Sequence, residues 1–466
     1  MLVRNTQLAA ALEPTPGTAP SITGADVVET LGPAEHSSET DQIDEEPALG
    51  SMSPSASEVG ASRATITLDL ALRGSGTAST APQWAKFVKA SLFEEISTQR
   101  LDLDSALTEV VRPGDLLVGG TSGARALVLK TAATGSTAVQ VIVLSGTFGA
   151  AENVDLVRVS GTTSSVGATD ASTPIVDNIG LAYRPTTDVL TTLTTTGSWT
   201  TGDPAVGEGI AIMLGAAVIG EGQFVSHISN TLVMRLAYLR SAITSSVTFR
   251  STTGKTISAA GSPAVSTSPA TIACHWNQEG ERRAMGHGRV TFTAQADAGQ
   301  PARLSVTVQG QDGTHSEAAR YTPSGQPTTT APRLANETVF RDGVHAPTKS
   351  FAFDLAATVN VIHDANAPDG IKGAEVVGRG PTMSLVVEQT TKSVVDWDAD
   401  KKAGTLIPVG IQVGTVAGNT VGIVARKCQV VAVANGDAEG IATRTVSLRI
   451  VRESDAGDDE LYLFHV

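Results

Sequence analysis

The stretch "GRVTFTAQADAGQPARLSVTVQGQ", residues 288–311, decides the fold because its side chains alternate between apolar and polar around a central turn. The apolar positions are Val290, Phe292, Ala294, Leu304, Val306 and Val308. The positions between them are polar, namely Thr291, Thr293, Gln295, Ser305, Thr307 and Gln309. A period of two is typical of strands with one buried face, so the stretch predicts an antiparallel hairpin turning at "DAGQP".

A second alternating run, "RATITLDLALRG" at 63–74, predicts another half-buried strand whose polar face carries Thr65, Thr67 and Asp69. The loop "RGSGTAST" follows it, and then "PQWAKFVKASLFEEI" at 82–96. Proline suits the first turn of a helix, and apolar residues recur near one stripe. We therefore predict a helix that packs on the sheet through Trp84, Phe87, Val88 and Leu92.

The sequence predicts no catalytic, metal or cofactor site. The "RGSG" loop lacks the Gly-Lys-Ser/Thr of a nucleotide phosphate loop and the third glycine of a dinucleotide loop. Cys274 and His275, with His287 twelve residues further on, lack the paired spacing of metal ligands, and a packing role is favoured for them. The acidic runs do not follow the spacing of a calcium loop. We expect a protein that is not an enzyme and carries no cofactor.

Composition excludes several classes. The 466 residues have a formal net charge of −14, which argues against a protein that grips nucleic acid phosphates. Two cysteines cannot form a disulfide framework. The start is a poor signal peptide and no run reaches about 18 apolar residues, so we expect a soluble protein made in a cytoplasm, without a membrane partner.

The pattern of apolar, polar and glycine residues divides the chain into five segments. The first, residues 1–101, includes an acidic arm at 26–62 and the strand and helix at 63–96. The others are a small all-β module at 102–172, a connecting strand at 173–197, a second all-β module at 198–268 and alternating strands at 269–466. The two modules share a "GTF" or "GQF" strand start at Phe148 and Phe224, which is a weak sign of a repeat. A short helix is predicted around "KSVVDWDADKKAG". Few helices and many strands predict a mainly β protein.

The arm has no lysine or arginine between Arg4 and Arg63. Composition favours a solvated or disordered segment, and the other interpretation is an extended arm that docks on a neighbouring subunit. The acidic candidates for such docking are Glu35, Glu39, Asp41, Asp44, Glu45 and Glu46.

An ordered set of pieces resembles the tail tube (major tail) proteins of long-tailed, non-contractile bacteriophages and related prophages. The pieces are "LVRNTQLAAALEPTPGTAPSITGADVV", the acidic arm, "LRGSGTASTAPQWAKFVKASLF", "LAYRPTTD", "GHGRVTFTAQADAGQPARLSVTVQG", "KSFAFDLAATV", "VVGRGPTMSLVVE", "AGTLIPVGIQVGTVAGNTV" and "SDAGDDELYLFHV". They cover residues 1–101, 173–197 and 270–466. The modules at 102–172 and 198–268 look like insertions into that pattern, and we expect them to project outward from the tube.

The resemblance implies a β-sandwich or partial barrel with a flanking helix, about six copies per ring, and sheets that join across subunits into a closed barrel. Stacked rings would form a tube around a tape-measure protein, ending at tail terminator and tail tip proteins. DNA would pass through without specific binding. The expected location is the virion tail, assembled in the host bacterial cytoplasm. The arm would then reach neighbouring subunits and rings.

A channel of this kind must be polar without holding DNA, because one cation per subunit is repeated in every copy of the ring. The residues predicted to face it are Thr65, Thr67, Asp69, Thr291, Thr293, Gln295, Ser305, Thr307 and Gln309. Arg303 is an exception, and we expect a carboxylate such as Asp297 near it. The alternatives are a capsid or decoration protein and a surface-exposed adhesive β protein. A capsid would need long helices, and an adhesin would need secretion.

Overall fold

The computed structural model describes residues 6–44, 56–187, 189–200, 202–214, 217–228, 230–239, 247–259, 265–336, 339–365, 367, 370–455 and 457–466. Strands make up 58% of it and helices 4%, so the fold is mainly β, as predicted. The predicted arm residues Glu45 and Glu46 lie outside the described residues.

The elements of the first half follow in chain order: β1 (Thr6–Leu12), a 3-10 turn (Gly24–Asp26), β2 (Val27–Val28), β3 (Glu35–Ile43), β4 (Glu58–Ala71), α1 (Ala85–Ala90), β5 (Phe93–Ser105), β6 (Leu116–Gly119), β7 (Arg125–Val128), β8 (Ala138–Ser145), β9 (Asn153–Arg158), β10 (Gly161–Thr169), β11 (Ile175–Pro185), β12 (Leu190–Thr196), β13 (Gly209–Leu214), β14 (Ala217–Ile228), β15 (Thr231–Leu239), β16 (Val247–Ser251), β17 (Thr256–Ala259) and β18 (Val265–Ser268).

Those of the second half are β19 (Ile272–Gln278), β20 (Glu281–Asp297), β21 (Arg303–Glu317), β22 (Val339–Arg341), β23 (Val344–His345), β24 (Thr348–Asp354), β25 (Thr358–His363), β26 (Ile371–Gly378), β27 (Thr382–Glu388), α2 (Trp397–Ala403), β28 (Leu406–Val413), β29 (Val421–Ala438), β30 (Ile441–Ile450) and β31 (Tyr462–His465).

The central element is a continuous antiparallel sheet, here called the long sheet, in the order β3–β4–β21–β20–β24–β27–β30–β29. The predicted hairpin is β20–β21, in which Phe292 pairs with Val306 and Thr291 with Thr307. The second alternating run is β4, in which Thr67 pairs with Thr307.

A facing layer completes the sandwich. The first half of β29 pairs with β28 on one side and β31 on the other, and β31 continues through β11 to β5. Apolar residues of both layers, such as Phe292, Phe353, Ile411 and Leu463, belong to one buried core. The sandwich therefore buries the apolar face of the long sheet and leaves the polar face outside.

Residues 99–169 close into a small barrel, here called the first barrel. Its strands follow the antiparallel order β5–β8–β7–β6–β9–β10 and return to β5. It has its own core, with Leu117, Val128 and Val141 fully or almost fully buried. Because β5 also pairs with β11, this barrel shares a strand with the sandwich.

A second barrel follows the order β12–β15–β14–β13–β16–β17 and returns to β12, with β18 added at β12. Its core contains Trp199 and Phe224, whose rings meet edge to face at 6.0 Å. In the described residues, no strand of the second barrel pairs with a strand outside it. Thr267 donates a backbone hydrogen bond to the Pro14 carbonyl, next to the chain connection to the sandwich.

Two strands do not follow the segment boundaries that the sequence suggested. β12 was expected in the connecting strand at 173–197, but it pairs inside the second barrel, so this barrel begins at Leu190 rather than at residue 198. β5 crosses the expected boundary at 101 and runs to Ser105. β12 is a separate strand that follows β11, and all of its partners lie in the second barrel. β5 is one strand that pairs with β11 over residues 93–101 and with β10 at Leu103 and Ser105, so it belongs to both the sandwich and the first barrel.

The predicted helix was too long. α1 ends at Ala90, Leu92 has a positive φ of 61°, and Phe93 begins β5. A left-handed residue cannot continue a right-handed helix. Residues 93–96 instead extend along β11, where Ile96 pairs with Ala182.

Candidate assembly surface

The polar face of the long sheet collects all nine residues predicted to face a channel. They lie in cross-strand rows on β4, β21 and β20. Two of these rows are Asp69–Ser305–Thr293 and Thr67–Thr307–Thr291. Thr65 pairs with Gln309 at one end of the set, and Gln295 belongs to the row Ala71–Arg303–Gln295 at the other. The intervening residues Phe292, Leu304, Val306 and Leu68 are buried. The predicted alternation is therefore the observed one, whereas the channel itself stays a prediction.

The same face continues over strands that the sequence analysis did not select. The row through Asp69 and Thr293 extends to Asp354, Thr382 and Arg449. The row through Gln295 extends to Ser384 and Ser447 in the same way. The alternation of "SFAFD", "TMSLVVE" and "TVSLRI" carried this signal, but single short strands do not reveal which of them are neighbours.

A groove of about 630 Å³ lies in this continuation, lined by Thr293, Gln295, Ser384, Ser447 and Arg449 among others. Val431 lines it as well and is 54% exposed, because a bulge between Val430 and Ala432 turns its strand. The polar face is thus concave between β20 and β30.

Arg303 has no ion pair in the described part of the chain, so the expected contact with Asp297 is not formed. Arg303 pairs across the strand with Gln295 and with Ala71, and both it and Asp297 are exposed. The exposed charges on this part of the face are Asp69, Asp297, Asp354, Arg303 and Arg449. Cations and carboxylates therefore come close to balance.

One end of the polar face is covered. The hairpin β25–β26 packs against β20, β21 and β4. Beneath it Arg289, almost fully buried, pairs with Glu375 at 3.1 Å and donates to the Ala270 carbonyl. Arg289 lies opposite Gln309 in the strand register. Of the predicted channel residues, Gln309 is therefore the one nearest to a closed part of the surface.

The described part of the acidic arm is an edge strand. β3 pairs with β4 from Glu35, opposite Thr67, to Ile43, opposite Glu58, and within the described residues it has no second partner. Glu39 accepts from Arg63 at 2.7 Å, and the Asp44 carboxylate accepts from the Ser57 hydroxyl. Asp41 is exposed. The segment 35–43 is an ordered strand, and its docking on a neighbour stays a prediction.

The predicted packing residues of the helix are all buried: Trp84 at 2%, Phe87 and Val88 at 0% and Leu92 at 6% exposure. The Trp84 indole donates to the Arg73 carbonyl at 2.9 Å and meets the Tyr183 ring edge to face. α1 contacts β20 and β5, so the helix belongs to the core of the sandwich.

The loop "RGSGTAST" is a structural corner. The N–H of Gly74 donates to the Asn419 side chain and that of Gly76 to the Gly418 carbonyl. A side chain at Gly74 would lie 2.1 Å from the Gly418 oxygen, so glycine permits this close approach. These two N–H groups are used within the chain.

Across the described ranges, no group of three or more His, Cys, Asp or Glu side chains is placed to hold a metal ion. Cys274 and Cys428 are buried free thiols, and burial raises the pKa of each to about 12. Among the described residues there is also no helix with the length and apolar character needed to cross a bilayer.

A scan against protein-family models found no match for this chain. A search of curated proteins likewise found no matching protein. The functional assignment therefore depends on the surface itself.

Proposed function

We propose that the chain is the structural subunit of a bacteriophage tail tube, assembling into rings of about six copies that stack around a channel for DNA. The observation that carries the proposal is the long sheet, which has a polar face across β4, β21 and β20 and ends at β3, an edge strand with no second partner among the described residues. An unpaired strand edge invites pairing with another chain.

The size of the channel selects the strands that would line it. If each of six copies contributes β3, β4, β21 and β20, the wall has about 24 strands and, at ~4.8 Å per strand, a circumference of about 115 Å. The corresponding diameter is about 37 Å, which leaves room for side chains and a duplex. Using all eight strands of the long sheet would double the diameter. We therefore assign the inner wall to β4, β21 and β20, which carry the nine candidate residues, and to the edge strand β3 beside them.

The surface chemistry supports the same proposal. The face on β4, β21 and β20 presents threonine, serine and glutamine, with Asp69 and Arg303 as charges of opposite sign. Such a face is wetted and offers DNA no net cationic surface, so it would let the duplex slide. The partners in this proposal are neighbouring copies, a tape-measure protein, and tail terminator and tip proteins.

Negative-stain microscopy and sedimentation velocity of the purified chain test the proposal. Rings or hollow tubes of constant width are expected. Closed shells would favour the capsid alternative, and a dispersed monomer at all concentrations would contradict both.

Proline variants test the edge. Successive N–H groups of an edge strand point alternately to its partner and to solvent, so one of Ser37→Pro and Ser38→Pro removes an outward N–H. Both residues are exposed, and the monomer should stay folded in both variants. We expect at least one of the two to lose tubes, while Thr328→Pro in the exposed connector keeps them. Tubes from both β3 variants would exclude pairing through this edge.

A further inference from the structure

The two barrels have the same strand order. When the six strands of each are labelled a to f along the chain, both close as a–d–c–b–e–f and back to a, with every pair antiparallel. The correspondence extends to individual hydrogen bonds just before strand b. There the first barrel has the sequence "RPGD", 112–115, and the second has "AVGE", 205–208.

Each of these turns is built in the same way. The carboxylate of Asp115 accepts from the N–H three residues earlier, at 2.9 Å, and Glu208 does the same at 3.0 Å. The preceding glycines, Gly114 and Gly207, both have positive φ, at 96° and 85°.

The backbone pairing of strand c also matches. Gly114 donates to the Val128 carbonyl and Val128 donates back to the Asp115 carbonyl. Gly207 and Phe224 exchange the equivalent bonds, with Glu208 in place of Asp115. Val128 therefore corresponds to Phe224, not to any residue near Phe148, which lies between strands d and e. The "GTF" and "GQF" similarity had joined positions that are not equivalent.

The carboxylates also hold the same turn, between strands e and f. Asp115 binds Arg158, at the end of strand e, at 2.9 and 2.5 Å. Glu208 accepts from the N–H and the hydroxyl of Thr253 at 3.0 and 2.6 Å. Hydrogen bonds from Thr253 and Ser251 lower the pKa of Glu208 to about 2. Both turns are thus held by an ionised or ion-paired carboxylate.

In the first barrel this end is a docking surface. Pro113 is buried so close to the sandwich that a side chain at Gly410 would lie 2.2 Å from its carbonyl oxygen. Leu129 is fully buried against Val424 and Phe464 of the sandwich. The N–H of Thr131 donates to the Gln412 side chain at 2.9 Å.

The corresponding end of the second barrel is open. Val206 stands in the place of Pro113, one residue before the matched glycines. Strand c of the second barrel has an extra residue at the bulge between Phe224 and Ser226, so Val225 and Ser226 share the place of Leu129, and Ile228 takes the place of Thr131. Val206 is 76% exposed and Ile228 is 73% exposed. The two belong to neighbouring segments, because Asp203 of the loop lies 3.6 Å from His227. Lys255 donates to the Asp203 carbonyl at 2.6 Å, so the loop that presents Val206 is fixed.

We propose that the two barrels are copies of one module, and that the second docks on another copy of this chain through the surface of Val206, Val225 and Ile228. The first barrel supplies the argument for the partner, because its equivalent surface is bound to a part of this same chain. The chain enters the second barrel just before β12 and leaves it just after β18. Both connections to its own sandwich lie at the end of the barrel opposite to Val206 and Ile228. Its partner surface therefore belongs to a neighbour, and this step rests on the proposed self-assembly.

The test compares Val206→Asp/Ile228→Asp with Leu214→Asp/Val218→Asp in the full-length protein. The control pair is also apolar and exposed, at 44% and 39%, but lies at the other end of the same barrel. We expect the first pair to raise the protein concentration needed for assembly at least tenfold, measured by sedimentation velocity and microscopy, and the control pair to leave it unchanged. A Val206→Thr/Ile228→Thr variant keeps β-branched side chains and adds no charge, and it gives the same comparison if the aspartates disturb folding.

The outcomes separate the two proposals. Absence of any assembly in the unaltered protein would overturn the tail tube proposal. Normal assembly of the unaltered protein and of both Val206/Ile228 variants would overturn the docking surface alone. An equal loss in the control pair would also overturn it, since the effect would then come from added charge on the barrel.

Discussion

Asp115 holds the first barrel together at the end that docks on the sandwich, and Asp115→Asn should open that barrel locally. The carboxylate is fully buried, accepts from the Arg112 N–H, and takes two hydrogen bonds from Arg158, whose side chain is 18% exposed. Burial raises the pKa of Asp115, although the bonds from Arg158 and Arg112 act in the opposite direction. Asparagine has the same shape without the charge, and its NH₂ group would face one of the donors, either the Arg158 guanidinium or the Arg112 N–H.

Breaking a buried ion pair by changing one partner costs about 3–5 kcal/mol. We take the lower end, about 3 kcal/mol, because Arg158 reaches solvent and relief of carboxylate desolvation offsets part of the loss. At 1.36 kcal/mol per factor of ten, local opening should become roughly a hundredfold more frequent.

Native-state hydrogen exchange of the full chain is the appropriate assay, since a protein whose sandwich and two barrels have separate cores is not expected to unfold in one step. Amides of β6 and β9, which pair with each other, should lose protection. Asp102→Asn is the matched control, because Asp102 pairs with Arg100 at the surface, where about 1 kcal/mol or less is expected. Equal protection in both variants would refute the assignment of Asp115 as the residue that holds this end.

Three further predictions concern the barrels and the polar face. Gly410→Ala should loosen the first barrel from the sandwich by about 1–3 kcal/mol, because its new methyl group meets the Pro113 backbone. Hydrogen exchange at Thr131, whose N–H donates to Gln412, would detect this, and unchanged protection would count against the contact. The pKa of Glu208 is lowered to about 2, so its contribution to stability is present above pH 4.5 and is lost as the pH falls towards 2. The melting temperatures of the unaltered protein and of Glu208→Gln should therefore converge in acid. A difference in melting temperature that stays constant with pH would argue against this role. Thr291→Lys adds about six cations per ring, so tubes of this variant should retain duplex DNA at about 50 mM salt and release it at about 200 mM, whereas Thr163→Lys on the first barrel should not; equal retention would show that Thr291 does not face the channel.

The sequence predicted the buried and polar faces of the longest strands of the long sheet, where side chains alternate over many residues. The apolar and polar faces of β4, β20 and β21 are those expected, and α2 forms within the predicted "KSVVDWDADKKAG" segment. A period of two needs only local information, and the apolar face is buried whichever strand lies beside it. The same information does not say which strand is the neighbour, so the continuation through Asp354, Thr382 and Arg449 was missed.

Partner choice is also what the segment boundaries depend on. β11 and β12 follow each other in the chain, but β11 pairs with β5 and β31 whereas β12 pairs with β15, β17 and β18. The end of α1 depended on one residue, Leu92, in a conformation that its residue type rarely adopts. Neither feature has a signal in a single sequence.

The repeat shows what a sequence can hide even when the structural match is detailed. The turn before strand b keeps only a glycine and a carboxylate, Gly114–Asp115 and Gly207–Glu208, because those two positions perform the backbone turn and the capping. The donors to the carboxylate differ between the copies. Arg158 at the end of strand e donates in the first barrel, and the hydroxyl and N–H of Thr253 donate in the second, since either kind of group can donate to a carboxylate. The remaining positions need only the apolar or polar character set by their own surroundings, and those surroundings differ: Pro113 lies against a sheet, whereas Val206 lies in solvent. An exposed valine at a position whose counterpart is buried is therefore the informative difference between the two copies, and it is the reason to look for a partner there.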